Sequence, residues 1–158
     1  MAFFENSKEC FFLYGDQIVI DENKNILGFR SGEDLSLPNL LKNPDVVRQP
    51  VCFWRREVIN IVGYLDETLH LVMDYDFFLR ISKKFKLYHI EHFFCYFRLF
   101  EGTKTSKFAK RQVDEIRSVM KKESGLINYR FYLFMLNREI NVLKYKLRTL
   151  VKFLIRYN

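Results

Sequence analysis

Residues 73–84, MDYDFFLRISKK, carry the pattern that decides how the middle of this chain folds. Acidic residues open the segment and lysines close it, which is typical of a helix because these charges complement the helix dipole. We therefore predict a helix from Asp74 to Lys84. Asp76 and Arg80 lie four residues apart, so on a helix they can form an ion pair on one face. Asp74, at the helix start, is left free to point away from the helix.

The chemistry of Asp74 has two interpretations at this point. A free carboxylate at a helix start can act as a general base if a substrate hydroxyl can reach it. The more common role of such an aspartate is to cap the helix, and an i,i+4 pair such as Asp76 and Arg80 is most often a solvated salt bridge. The local pattern leaves both interpretations open.

Working towards the N-terminus, the sequence predicts a short helix and a β-hairpin before residue 31. Two β-forming apolar runs, Phe11–Tyr14 and Gln17–Ile20, precede an Asp- and Asn-rich turn at residues 21–25, and a further apolar run, Ile26–Phe29, follows it. This arrangement is typical of a hairpin. Tyr14, Gly15 and Asp16 are predicted to shape a turn between the first two runs.

Between residues 31 and 105 the sequence predicts helices alternating with strands. A helix should begin at Ser36-Leu37-Pro38 and end near Asn43, because proline is favoured at the first helical position and disfavours helix in the residue before it. The remaining elements are a buried strand at Val51–Trp54, a short helix at Arg55–Val62 ended by Gly63, and strands at Lys86–Ile90 and Phe93–Leu99.

From about Ser106 to the end, the sequence predicts helices throughout. One apolar stripe comprises Phe108, Val113, Ile116, Val119 and Met120, and a second has alternating three- and four-residue spacing: Leu133, Leu136, Ile140, Leu143, Leu147, Leu150 and Leu154. Residues 127–157 hold seven basic residues and one acid, which accounts for +6 of the net charge of +7. This basic helix can pack on its own domain, lie on an anionic membrane surface or form a coiled coil.

The composition of the 158 residues predicts one folded domain, since 49% of them are hydrophobic and 17% aromatic. Apolar runs are too short to span a bilayer, and the first residues lack the features of a signal peptide. Three cysteines without CxxC spacing predict reduced thiols in a reducing compartment, and the histidines do not fall at zinc-ligand spacings with them. We therefore expect a cytoplasmic protein, either free or peripheral at the cytoplasmic face of the membrane, with no metal ligands and no nucleic-acid partner.

Three segments in order resemble the acceptor half of family 2 glycosyltransferases. They are residues 49–56 (QPVCFWRR), 62–67 (VGYLDE) and 73–80 (MDYDFFLR), matching a Gln-Pro strand, a Phe-x-Arg-Arg turn, a Val-Gly-x-x-Asp-Glu helix end and Asp-Tyr-Asp-x-x-x-Arg. Tyr14-Gly15-Asp16 upstream, and Cys95–Arg98 with Thr103–Thr105 downstream, also resemble segments of that family. The likeness covers roughly residues 4–107.

The resemblance implies an α/β fold of the GT-A type: a partial GT-A-like domain with a short mixed sheet and flanking helices, followed by C-terminal α-helices. It divides the chain into an acceptor-side half at residues 1–105 and a basic, amphipathic helical extension at residues 106–158. The implied activity is inverting sugar transfer in polysaccharide biosynthesis, with a nucleotide sugar as donor and a glycan or lipid-linked acceptor. Asp74 matches the position of the catalytic base, and Gln49, Asp76 and Arg80 match acceptor-side positions. The alternative roles are structural: Asp76 and Arg80 can hold their helix in place, and Gln49 can be a buried glutamine that satisfies a strand end.

Two departures from the family pattern limit what this chain does by itself. Arg98-Leu99-Phe100 stands where the family has Arg-x-His, and no Asp-x-Asp motif precedes Tyr14. A leaving nucleoside diphosphate needs a divalent cation or a cationic clamp, so Mg²⁺ or Mn²⁺ is expected on a nucleotide-binding half that these residues do not include. We expect the isolated chain to be inactive, as a truncated reading frame, a remnant or one partner of a split enzyme whose N-terminal half is a separate chain. The alternative is a non-catalytic interaction or membrane-docking module derived from such an enzyme.

Overall fold

A computed structural model describes residues 2–99, 108–124 and 132–136, together with Ile140 and Leu147. The helices are α1 (Ala2–Asn6), α2 (Leu37–Lys42), α3 (Arg56–Val62), α4 (Met73–Ser82) and α5 (Ala109–Ser124), with 3₁₀ turns at Pro44–Val46 and Gln49–Val51. The strands are β1 (Phe12–Ile20), β2 (Ile26–Arg30), β3 (Cys52–Trp54) and β4 (Leu87–Arg98).

Strand β1 lies at the centre of a small mixed sheet, which has four strands in the described part of the chain. Its first residues pair antiparallel with β3 and its last residues pair antiparallel with β2. Strand β4 pairs with β1 in parallel along its whole length, with register irregularities in the middle. Because a strand has only two edges, β2 and β3 share one edge of β1 and β4 occupies the other.

The core forms where helix α4 packs on the start of the sheet. Phe78 is fully buried, and its ring meets Phe12 of β1 edge-on at a centroid distance of 5.1 Å. Trp54 of β3 stacks on Phe12 at 6.1 Å and contacts Phe77 at 5.3 Å. Aromatic side chains bury large areas and gain further from edge-on contacts, so this cluster fixes α4 against β1 and β3.

Asp76 and Arg80 fasten helix α4 to the end of helix α3. The Asp76 side chain has no exposed surface, and its Oδ2 accepts a hydrogen bond of 2.9 Å from Arg80 Nε. The Arg80 guanidinium also donates to the carbonyl oxygens of Val62, Gly63 and, at 2.9 Å, Tyr64. Gly63 adopts a left-handed φ of 81° that favours glycine, and it ends α3.

Helix α5 contributes a second cation to the buried carboxylate. Asp76 Oδ1 makes no hydrogen bond within the described residues, but Lys122 Nζ lies 3.5 Å from it. Lys122 also lies 3.4 Å from Asp66 Oδ2, in the loop that follows α3. One buried carboxylate therefore draws α3, α4 and α5 together.

Most of the elements predicted from sequence are confirmed, with changes at their ends. Helices α2 and α3, the hairpin and the ion pair between Asp76 and Arg80 are present, and α4 begins one residue earlier and ends two residues earlier than predicted. The predicted turn at Tyr14-Gly15-Asp16 is wrong, because these residues continue β1. The prediction of two separate strands at 86–90 and 93–99 is also wrong. These residues form the single strand β4, because pairing with β1 continues through both segments.

Only part of the predicted C-terminal helices lies within the described residues. In α5, Ile116, Val119 and Met120 are buried as predicted, whereas Phe108 is exposed. Residues 132–136 are helical, with Phe134 in the core, but the described members of the second stripe are all exposed: Leu133, Leu136, Ile140 and Leu147. Leu143, Leu150, Leu154 and the segment Thr103–Thr105 lie outside the described residues.

No helix of the described residues is long and apolar enough to cross a membrane. Cys10 and Cys52 are buried thiols and Cys95 is half-buried; each of the three is free.

We expect Arg80→Leu to lower the free energy of unfolding by about 3 kcal/mol or more, because it leaves the buried Asp76 carboxylate with Lys122, 3.5 Å away, as its one cationic partner among the described residues. Urea unfolding followed by circular dichroism measures this change. The matched control is Arg111→Leu, which removes an exposed i,i+4 pair with Glu115 (2.9 Å) and should cost less than about 1 kcal/mol. The contacts of Asp76 with Arg80 and Lys122 are called the Asp76 clamp below. Equal losses in the two variants would show that this clamp does not stabilise the fold.

Candidate functional site

A polar cavity of about 310 Å³ lies between the sheet, the start of α4 and helix α5. Its walls come from segments far apart in sequence, which β1 and α4 bring together. The residues that line it are Gln17, Arg30, Pro44, Asp45, Val47, Arg48, Gln49, Pro50, Leu71, Val72, Asp74, Tyr75, Phe97, Gln112 and Ile116.

Asp74 lines this cavity from the first turn of α4. The residue before the helix, Val72, has no side-chain oxygen to cap it, and Asp74 Oδ1 instead accepts the backbone N–H of Tyr75 at 2.8 Å. Burial raises the pKa of the Asp74 carboxyl above its ordinary value, and this hydrogen bond opposes the shift. A carboxylate with a raised pKa is a stronger proton acceptor, which is the property that a general base requires.

Of the predicted acceptor-side residues, the structure brings Gln49 to the same cavity as Asp74. Gln49 opens the 3₁₀ turn ahead of β3 and is exposed at the cavity. Asp76 and Arg80 do not line it, since Asp76 is buried and Arg80 is turned towards the end of α3. Their acceptor-side role stays a prediction, and the contacts that they make are those of the clamp.

Sequence reasoning missed several polar residues of the cavity. The sequence predicts Gln17 only as part of a β-forming apolar run, and the one signal of its place in the cavity is that it is a polar residue within that run. Arg48 donates to Glu33 at 2.9 Å and to the Val46 carbonyl at 3.3 Å, which places its guanidinium at the cavity wall. Arg30, at the end of β2, pairs directly with Gln17 across the sheet.

Asp16 makes a buried polar contact outside this cavity. Its Oδ1 lies 2.8 Å from His89 Nε2 and accepts the backbone N–H of Gly32 at 2.8 Å. Burial acts to raise the pKa of the Asp16 carboxyl, but the hydrogen bonds from Gly32 and His89 outweigh it and hold the pKa below its ordinary value. Gly32 has to be small here, because a Cβ would lie 2.5 Å from the His89 ring. The contact ties β1, β4 and the segment after β2 together.

A larger cavity of about 620 Å³ lies elsewhere and shares no lining residue with the polar one. Aromatic and aliphatic side chains dominate its lining, including Leu13, Phe53, Trp54 and Phe94. Arg55, Arg56 and Glu57 also line it, but it contains no candidate base from the sequence. Of these two cavities, only the smaller is lined by Asp74, the candidate base from the sequence.

No group of three or more His, Cys, Asp or Glu side chains that could hold a metal ion is found in the part of the chain that the structure describes. No protein-family model matches this chain, and no curated protein sequence matches it significantly. The assignment of a function therefore depends on the geometry of the cavity and on the sequence resemblance.

We expect Asp74→Asn to become increasingly more stable than the wild type as the pH rises from about 4, the ordinary range of an aspartate, through the raised pKa of Asp74. The folded state holds the Asp74 proton more tightly than the unfolded chain, so stability contributed by the protonated form is lost over that interval. Asparagine cannot ionise and avoids the loss. Urea unfolding at a series of pH values measures the difference.

For Asp16→Asn we expect the opposite dependence of stability on pH. Because the pKa of Asp16 is depressed, the wild type should be more stable than this variant at pH 7, and the difference should shrink as the pH falls through the depressed pKa. A parallel pH dependence in the two variants would contradict the environments described for the two aspartates.

Proposed function

We propose that this chain forms the acceptor side of an inverting glycosyltransferase, which transfers a sugar from a nucleotide sugar to a hydroxyl of a glycan or lipid-linked acceptor. One observation carries the proposal: Asp74, the residue at the base position of the resemblance, lies half-buried with a raised pKa in the wall of a polar cavity. Gln49, a second residue of the resemblance, lines the same cavity.

In the proposed reaction the Asp74 carboxylate takes the proton of the acceptor hydroxyl. The acceptor oxygen then attacks the anomeric carbon of the donor sugar and forms the new glycosidic bond. The bond from that carbon to the diphosphate breaks on the opposite side, and the nucleoside diphosphate leaves with the electron pair. Attack opposite to the leaving group inverts the configuration at the anomeric carbon. Partial burial of Asp74 supports this role because it strengthens the base.

A GT-A-like identity of the fold belongs to the same proposal. The mixed α/β architecture is compatible with it, and the order of the resembling segments supports it. The resemblance implies that Mg²⁺ or Mn²⁺ helps the diphosphate to leave, on residues outside this sequence. The described residues present no suitable cluster of metal ligands, so no step is assigned to a metal here.

The alternative, a non-catalytic interaction module, has one observation in its favour. The 620 Å³ cavity is largely apolar, and Phe53 and Phe94 in its lining are exposed on the protein surface. Exposed apolar patches of this kind often mark protein contacts. In such a module Asp74 has no chemical task, so the two functions differ in what its substitution does.

We expect Asp74→Asn to reduce sugar transfer by about 10²–10⁴-fold, the usual contribution of a general base. The assay combines this chain with a donor-binding half carrying paired metal-binding aspartates, and follows product by mass spectrometry. Glu22→Gln is the control, since it removes an exposed carboxylate of the hairpin turn, outside the cavity, and should leave transfer nearly unchanged. Full transfer by the Asp74 variant would exclude the base assignment, and turnover of a nucleotide sugar by the isolated chain would exclude the need for a second half.

We further propose that the basic C-terminal segment contacts an anionic membrane surface. The exposure of Leu133 and Leu136 supports this, together with the excess of basic residues at 127–157. Phe134 of the same segment belongs to the core, so the test keeps the segment and changes only exposed residues.

Point substitutions of exposed leucines test the membrane contact without damage to the core. The double variant Leu133→Ser, Leu136→Ser should lose sedimentation with phosphatidylserine-containing vesicles, and the wild type should bind them less at high salt. The control is Ile26→Ser, Leu27→Ser, whose side chains are 57% and 56% exposed against 44% and 53% for the two leucines. Wild-type protein that stays in the supernatant at every salt concentration rules out the membrane contact.

A further inference from the structure

Gln17 is a buried polar side chain in the wall of the Asp74 cavity. It is 2% exposed, and its side-chain oxygen Oε1 has no hydrogen-bond partner among the residues that the structure describes. A buried polar atom without a partner destabilises a fold, and native proteins rarely keep one. A carboxamide at this position therefore points to a partner that enters the cavity from outside.

The backbone around Gln17 is fixed on both sides. On β1 it lies opposite Arg30 of β2 and opposite Cys95 of β4, so both edges of the strand are paired there. The strand that carries the Gln17 carboxamide is therefore rigid, which suits a residue that orients a substrate.

The charges around the cavity cancel, which indicates what kind of ligand it takes. The charged residues that line it are two arginines and two aspartates (Arg30, Arg48, Asp45 and Asp74), and Arg48 is already paired with Glu33. Such a balance gives no net attraction for a phosphate or a carboxylate. Hydroxyl groups suit it better, because each can donate to Gln17 or Asp74 and also accept from an arginine.

We propose that Gln17 binds and orients the acceptor by accepting a hydrogen bond from one of its hydroxyls, and that the group held in this cavity is a neutral, hydroxyl-rich sugar ring. This inference rests on the proposed function, since it takes the cavity to be the acceptor site. A glutamine suits the position because it offers a strong acceptor without adding a charge beside Asp74.

Gln17→Met in the complete 158-residue chain tests the proposal, since methionine has a similar length and no carboxamide. Without ligand, the Tm should rise by about 2 °C or more, because the substitution removes an unpartnered buried polar atom. Binding is followed by two-dimensional ¹H–¹⁵N NMR titration with the methyl glycosides of glucose, galactose and N-acetylglucosamine. At least one glycoside should bind the wild type and bind the variant about fivefold or more weakly.

Inorganic phosphate and glucose 1-phosphate serve as anionic probes, and Asn60→Met is the matched control. Asn60 is an exposed amide on α3, so its substitution should change neither the Tm nor glycoside binding. A lower Tm for Gln17→Met would show that the carboxamide supports the fold, and unchanged glycoside binding would show that it does not contact the ligand. Either result overturns the proposal.

Two outcomes for the wild type also overturn it: no glycoside binds, or inorganic phosphate binds and no glycoside does. Failure here is distinct from failure of the proposed function, which is judged by the effect of Asp74→Asn on sugar transfer. If Asp74 is essential for sugar transfer and Gln17 is not needed for glycoside binding, the proposed function stands and only the role proposed for Gln17 is overturned.

Discussion

The Asp76 carboxylate is completely buried, and three helices are arranged around its charge. Arg80 pairs with it from one turn later in α4 and also binds the last carbonyls of α3, while Lys122 approaches from α5. An ion that leaves water requires such partners, so the clamp constrains where α4 can lie. With α4 held against α3 and β1, its first turn is fixed at the cavity, and Asp74 is fixed with it.

Two aspartates of α4 thus have different tasks although they are two residues apart. Asp76 is neutralised within the protein and links helices, whereas Asp74 is half-buried, accepts one backbone hydrogen bond and faces a polar cavity. Burial raises the pKa of Asp74, and no residue of the described part of the chain forms a salt bridge with it. Gln17, an uncharged amide on β1, lines the same cavity.

Some of this organisation could be predicted from local sequence because local physics controls it. Gly63 ends α3 through its left-handed φ, the Asp- and Asn-rich turn forms the hairpin, and the spacing of Asp76 and Arg80 defines their pair. Strand boundaries were predicted less well. The local pattern predicts two strands within residues 86–99 and a turn at Tyr14–Asp16, and both predictions are wrong. The pairing of β1 with β4 joins residues more than 70 positions apart, which no local pattern contains.

The sequence by itself therefore determined the helices from α1 to α5, the hairpin, the Asp76 pair and the choice of Asp74, Gln49, Asp76 and Arg80 as candidate site residues. Tertiary structure decided which residues share a cavity: it brought Gln17, Arg30 and Arg48 to Asp74 and kept Asp76 and Arg80 away from it. The physical reason is that helical periodicity and turn chemistry act over a few residues. Burial, unpartnered polar atoms and pKa shifts arise only when distant segments exclude water together.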